Sequence, residues 1–287
     1  MGRLRLERAM ESLTQEQVEN AARAMPDHVL STAFLEPQAR PRLIALILFS
    51  GEISRARAVV SESGLAAIRL QWWRDRLDQI YAGLPMGGNP IAIALAAAIK
   101  EAGLPRVYLD AMIDGYEREL RSAPFQTWSD LEAYLDATSG NLNRLSLLAS
   151  GLPALSLRAD AIARDVGIAW GLAHLMGRLH QWSIRRSVWI PEEARGAVDL
   201  ETLFARKSSR ELSLALDLAM DRLSSARRSA NRGLGAAALG IHFPVLAHAC
   251  LSRRIAKASL SLQGGDHQIS LLERQIRITL SVARGRI

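Results

Sequence analysis

Apolar residues recur along this chain at steps of three and four, the repeat that gathers side chains on one face of an α-helix. Between residues 161 and 180, Ile162, Val166, Ala169, Ala173 and Met176 form one stripe, widened by Ile168, Leu172, Leu175 and Leu179. The face left over, Gly167, Gly171, His174 and Arg178, is small and basic. On the helix expected around 43–60, Ile47, Gly51, Ser54 and Ala58 make a matching small-residue face. In the segment IRLQWWRDRL, residues 68–77, Ile68, Trp72 and more loosely Trp73 share a side flanked by Arg69 and Arg76. Near the C-terminus Leu272, Ile276 and Leu280 share a side with Arg274 and Arg277 around them. That pattern either packs back on the body of the protein or rests on an anionic lipid or a partner.

Helix starts are marked by Ser or Thr three residues before Glu or Gln, so that each side chain bonds the other's backbone N–H. Thr14 with Gln17, Ser129 with Glu132 and Ser208 with Glu211 fit. Breaks fall at Pro26, Pro37, Pro41, the GLPMGGNP run of 83–90, and the Gly and Pro residues of 103–105, 151–153 and 264–265. About eight to eleven helices lie between them, joined by short connections, which predicts one compact all-α bundle. Residues 1–25 are set apart as an N-terminal helix or extension, and 26–287 as the main helical domain. The longest irregular stretch, 181–200, carries Trp182, Trp189 and Pro191 and is expected to fold back onto the bundle.

Composition agrees with this picture. Hydrophobic residues make up 49% and charged residues 23%, enough apolar surface to exclude a disordered chain. Cys250 stands alone, so no intrachain disulfide forms, and no Cys/His spacing suits structural zinc, which fits a reducing compartment. The longest apolar runs, 43–49 and 91–99, are far below the roughly 20 residues that span a bilayer. The first residues lack the apolar core of a secretory signal, and the chain is expected in the cytoplasm or peripheral to the inner membrane. Net charge is +7, and of 36 basic residues only Lys100, Lys207 and Lys257 are lysines. Such a surface attracts anions, but no nucleic-acid-binding motif or polybasic run accompanies it, and nucleic acid is not an expected partner.

Five segments in order carry a resemblance: RPRLIALILFSGEISRARAVVSE, IRLQWWRDRLDQIYAG, ATSGNLNRLSLLASG, RRSVWIPEE and RQIRITLSVARGRI. Together they resemble the squalene/phytoene synthase family over most of the chain from about residue 27. The resemblance implies the isoprenoid synthase fold, antiparallel helices around a deep, largely apolar cavity where two prenyl diphosphates condense head to head. It also implies two Asp-rich boxes on facing helices, because Mg²⁺ held by carboxylates neutralises the departing diphosphate.

Those boxes are missing here. Anchored on Phe49 and WWRD, the first falls on SRARA, with Ser54, Arg55 and Ala58 at the acidic places. Counted back from Pro191, the second falls on MGRLHQW, with Arg178 and Trp182 at its aspartate positions and Gly171 and His174 upstream. Neither face can hold Mg²⁺, which takes hard oxygen ligands. Two other acidic pairs at four-residue spacing, Asp110/Asp114 and Asp217/Asp221, are expected on the surface, with Arg118 a ready partner for Asp114.

The remaining candidates carry two readings each. Trp72 and Trp73 fill gaps between helices while Asp75 pairs with an arginine, or Arg69, Trp73 and Arg74 rim the cavity and grip a phosphate. His174 is a core or cavity imidazole with no nucleophile at a recognisable spacing. Arg178 needs a counter-charge, either a protein carboxylate or an anionic ligand held without metal. Trp182 and Arg185 complete the candidates. No catalytic residue, metal ligand or cofactor is assigned.

A subgroup similar to the phytoene-synthase-like assembly factor of respiratory complex I also lacks the boxes, and IRLQWWRD and the arginine-rich C-terminus resemble it. The resemblance therefore implies a pseudoenzyme that binds a protein partner or a membrane surface, with a prenyl or lipid-like molecule in its cavity. The alternative is an active head-to-head prenyltransferase, which alone would call for Mg²⁺.

Overall fold

The computed structural model describes residues 14–55, 63–85, 87–120, 125–179, 188–195, 199, 201, 204, 209–235, 238–259 and 269–287. Among these the regular structure is helical throughout, with no strand. The first half contributes α1 (Gln15–Ala24), α2 (Pro26–Thr32), α3 (Arg40–Ser54), α4 (Ser63–Tyr81), α5 (Pro90–Ala102) and α6 (Arg106–Arg118). There follow α7 (Trp128–Leu135), α8 (Asn141–Ala149), α9 (Leu157–Gly177), α10 (Glu192–Arg195), α11 (Arg210–Gly233), α12 (Ser252–Ser259) and α13 (Leu271–Arg284). A five-residue π-helical turn, Asp136–Gly140, joins α7 to α8, and a 3₁₀ helix, Gly240–Leu251, leads into α12. Short pieces such as α2, α10 and α12 account for the excess over the predicted number.

Local chemistry sets the boundaries. Thr14 and Gln17 form the predicted reciprocal cap of α1. For α7 the working cap is Thr127 with Asp130, not Ser129 with Glu132, since Glu132 points across to Arg222 at 2.7 Å. Ser209 caps α11 by accepting from Leu212 N–H, and Ser208 lies outside the described residues. Asn89 caps α5, and Gly103 closes it in the left-handed conformation.

Two large apolar cores hold the bundle. One gathers Leu46, Phe49, Leu70, Trp73, Leu95, Leu109, Leu145, Val166 and Leu246 from α3 to α9 and the 3₁₀ helix. The other gathers Trp128, Leu131, Leu135, Leu172, Met176, Trp189, Leu216 and Leu223 from α7, α9 and α11. Trp189 and Ile190 are buried, and Glu192 and Glu193 donate N–H bonds to Phe125 and Gln126 carbonyls, so this part of the long loop does fold back. Cys250 packs partly buried against the first core, and burial pushes its thiol up to about 11, as in an inert apolar side chain.

α9 is the central helix, packing most closely on α11, α12 and the π turn. Its glycines permit this. A methyl on Gly167 would lie 2.4 Å from the Gly140 backbone nitrogen, and one on Gly171 would lie 2.4 Å from a Leu135 methyl. The face expected to be small and basic thus divides, with two glycines against α7 and the π turn and with His174 and Arg178 further along. Arg144, buried on α8, locks the same crossing by donating to Asp136 at 2.5 Å and Asp160 at 2.6 Å.

Two apolar faces are turned differently from expectation. On α4 the buried set is Ala66, Leu70, Trp73 and Leu77, while Ile68 is 65% exposed on the outer side. On α13 the inward residues are Ile278 and Ser281, with Leu272 66%, Ile276 50% and Leu280 44% exposed. The outward stripe therefore does not pack back on the protein. Both helices carry aliphatic residues on opposite sides, and only the position of their neighbours selects which side is covered.

Substituting Gly167→Ala is expected to destabilise the fold by about 1–3 kcal/mol through this backbone clash, read as a lower urea midpoint. Gly64→Ala, in open space near the start of α4, is expected to leave the midpoint unchanged or slightly raised.

Candidate functional site

Pro26 opens α2 after a break at Met25, which turns the start of this short helix inward and buries Asp27 and His28. Opposite lie α9, the π turn and α13. Between them is a cavity of about 480 Å³, within the ~300–1,000 Å³ typical of small-molecule sites. Its apolar wall includes Met25, Pro26, Leu135, Trp170, Leu175 and Ile255, and its polar wall includes Tyr116, Tyr134, Thr138 and Ser139. The charged groups lining it are Arg23, Asp27, Glu119, Arg178 and Arg274. A second groove of about 610 Å³ lies between Phe34, Ile241 and Phe243 and the end of α13, with Glu36, Ser150, Arg284 and Arg286 among its lining.

Asp27 and Arg274 neutralise one another. Arg274 Nη1 donates to both carboxylate oxygens, at 2.5 Å to Oδ1, across 247 positions of sequence. Burial raises the Asp27 carboxyl and Arg274 draws it back. At a third point, Tyr134 O–H donates to the Glu119 carboxylate.

Beside this pair sits a cluster of imidazoles. His28 stacks on His248 with ring centres 3.8 Å apart, Trp170 meets both edge-on, and His174 lies 4.4 Å from Trp170. Burial pushes His28 and His174 down to about 3, Arg178 adding to the effect on His174, and lowers His248 well below its ordinary value. All three rings are therefore neutral at pH 7. Their His28 Nδ1, His174 Nε2 and His248 Nε2 atoms are buried without a hydrogen-bond partner among the described residues.

Of the residues singled out in the sequence, Ser54, His174 and Arg178 line this cavity. Arg55, Arg69, Trp73 and Arg74 are not part of its described wall, for identifiable reasons. Arg55 ends α3 exposed to solvent. Arg69 turns to Glu52 at 2.6 Å, and Arg74 to Asp114 and to Glu117 at 2.8 Å. Trp73 is 1% exposed, packed edge-on against Phe49 and Trp72 in the first core. Asp75 accepts from Gln71 at 2.9 Å where an arginine was expected, and Arg76 lies over the Trp72 ring. Trp182, Arg185 and Ala58 lie outside the described residues.

The acidic pairs behave as surface groups. Asp217 and Asp221 are exposed, Asp110 pairs with Arg106, and Asp114 pairs with Arg74 rather than with Arg118, which bonds Asp130. Sequence reasoning missed Asp27, His28, Tyr116, Tyr134, Trp170, His248 and the inward role of Arg274. Only the Met-Pro break before Asp27 marked an inward turn.

The described carboxylates of the cavity are already engaged. Asp27 is saturated by Arg274, Glu119 is engaged by Tyr134, and Ser54 and Arg178 stand where carboxylates were sought. Among the described residues no three His, Cys, Asp or Glu side chains converge as a metal site.

A helical shell enclosing one mixed polar and apolar cavity is the architecture of an isoprenoid synthase-type protein. A solved dehydrosqualene synthase superposes with a TM-score of 0.80 at 12% identity, covering 98% of both chains. A squalene synthase from Alicyclobacillus acidocaldarius superposes with a TM-score of 0.71 at 18% identity, covering 87% of this chain and 96% of the other. The family model for squalene/phytoene synthase matches residues 21–275, and the chain belongs to that family. Among curated relatives, the mouse protein named NADH dehydrogenase (ubiquinone) complex I, assembly factor 6 is 31% identical over 147 residues, 51% of this chain and 43% of its own. Phytoene synthase 1, chloroplastic, of Arabidopsis thaliana is 22% identical over 232 residues, 79% of this chain and 54% of its own. The chain thus spans about half the length of the curated relatives it matches.

Because unfolded imidazoles protonate near 6.5 while buried His28 and His174 stay neutral down to about 3, the unfolded chain binds more protons between these values. Stability is therefore expected to fall as pH drops below 6.5. His28 alone contributes a loss of about 2 kcal/mol by pH 5 in urea unfolding, and His28→Phe is expected to flatten that dependence.

Proposed function

We propose that this protein is a squalene/phytoene synthase-like pseudoenzyme that assists assembly of a respiratory complex through a protein partner and keeps its cavity for a prenyl or lipid-like molecule. One observation carries the loss of prenyl transfer. Of the cavity's two described carboxylates, Asp27 is closed on Arg274 and Glu119 accepts from Tyr134, while Arg178 occupies a place where the chemistry demands an acid. Ionising an allylic diphosphate needs divalent cations on the leaving group, and these walls give them no seat.

The assembly role rests on the likeness to relatives named as complex I assembly factors. The outward face of α13 supports it physically. Leu272, Ile276 and Leu280 lie exposed in a row with Arg277, Arg284 and Arg286 beside them, which suits an amphipathic partner segment carrying acidic residues. No helix among the described residues is long and apolar enough to cross a membrane, so work at a membrane face would be peripheral.

Purified protein given farnesyl or geranylgeranyl diphosphate with Mg²⁺ is expected to release no pyrophosphate. Release above a protein-free control would restore the prenyltransferase reading. Cells deprived of the protein are expected to contain less assembled NADH dehydrogenase on native gels. Ile276→Glu with Leu280→Glu is expected to fail to restore that level while keeping the helical circular dichroism signal.

A further inference from the structure

The cavity's charge balance names a head group different from the family's diphosphate. Among the described residues its wall carries three arginines, Arg23, Arg178 and Arg274, against two carboxylates, Asp27 and Glu119, leaving one net positive charge. Arg274 is spent on Asp27, with both carboxylate oxygens held by one guanidinium nitrogen in a buried pair. Arg23 stands at the rim, 3.9 Å from Glu19. Among the described residues that leaves Arg178, at the exposed end of α9, as the cation facing an incoming ligand. One guanidinium cannot balance a diphosphate carrying several negative charges without metal, and burying the uncompensated remainder is costly.

The rest of the wall suits an uncharged polar head. His174 lines the cavity, is only partly covered, and has a nitrogen without a partner among the described residues. His28 also lines the cavity, buried, with its Nδ1 unpartnered among the described residues. A neutral imidazole both donates and accepts, and ring orientation exchanges nitrogen for carbon at each corner, so a small turn of His174 presents a nitrogen to the cavity. Trp170, Leu135, Leu175 and Ile255 give the same cavity an apolar wall for a tail.

We infer that this cavity binds an amphiphile with an uncharged hydroxyl or carbonyl head, seated between His174 and Arg178, and discriminates against diphosphate. This rests on the reading that the cavity is retained for a lipid-like molecule. The tail chemistry is either isoprenoid or acyl, and the two arms of the experiment separate them.

The test is equilibrium gel filtration of the full chain with labelled farnesol, dodecan-1-ol and farnesyl diphosphate, with and without Mg²⁺. An alcohol is expected to bind at least tenfold more tightly than the diphosphate, and Mg²⁺ to change neither. Farnesol ahead of dodecan-1-ol assigns an isoprenoid tail, and the reverse an acyl tail, both in support. His174→Leu is expected to weaken alcohol binding about fivefold, the loss of one hydrogen bond, with an unchanged circular dichroism spectrum. Diphosphate binding as tight as the alcohol's, or no binding of either alcohol, overturns the inference. If no alcohol binds and no pyrophosphate is released, only this inference falls; pyrophosphate release instead overturns the loss of prenyl transfer.

Discussion

The buried contact between Asp27 and Arg274 governs this molecule more than any other single interaction. It ties the second helix to the last, closes one wall of the cavity, and cancels a positive charge that would otherwise await an anion. Two ions taken out of water recover their lost hydration only when geometry is good and both are satisfied. Here the guanidinium donates to both carboxylate oxygens, and its Nε donates to the Ile269 carbonyl at 3.0 Å. The pair is satisfied within the chain.

Burial holds the imidazoles of His28, His174 and His248 uncharged, with Arg178 and Arg274 adding repulsion at His174, and the rings pack as aromatic plates around Trp170. The same helical shell superposes on a dehydrosqualene synthase although few residues are shared at 12% identity.

Helices were legible in the sequence because their signal is local. The stripe from Ile162 to Met176 and the surface position of Asp217 and Asp221 both follow from angles along a single rod. What the sequence withheld depends on neighbours. Nothing local distinguishes Arg118 from Arg74 as the partner of Asp114, and Arg74 lies 40 positions away. The same holds for the inward face of α13, where two apolar sides compete, and for Trp73, whose indole suits a cavity rim and a core equally well. Ser54, His174 and Arg178 were placed on the cavity because a helix face points where its helix points. His28 and His248 come from segments with no shared pattern and meet only when α2 and the 3₁₀ helix pack together.

The π turn at Asp136–Gly140 has a wider effect than its five residues suggest. It advances the rod from α7 to α8 out of step, so that Leu131 and Leu135 belong to one apolar core and Leu142 and Leu145 to the other. With α9 running alongside and contributing to both, neither core can melt without stripping contacts from its neighbour. A single turn of irregular backbone thus welds two halves into one cooperative body, and the Thr138 and Ser139 it carries into the cavity wall inherit the rigidity of the whole.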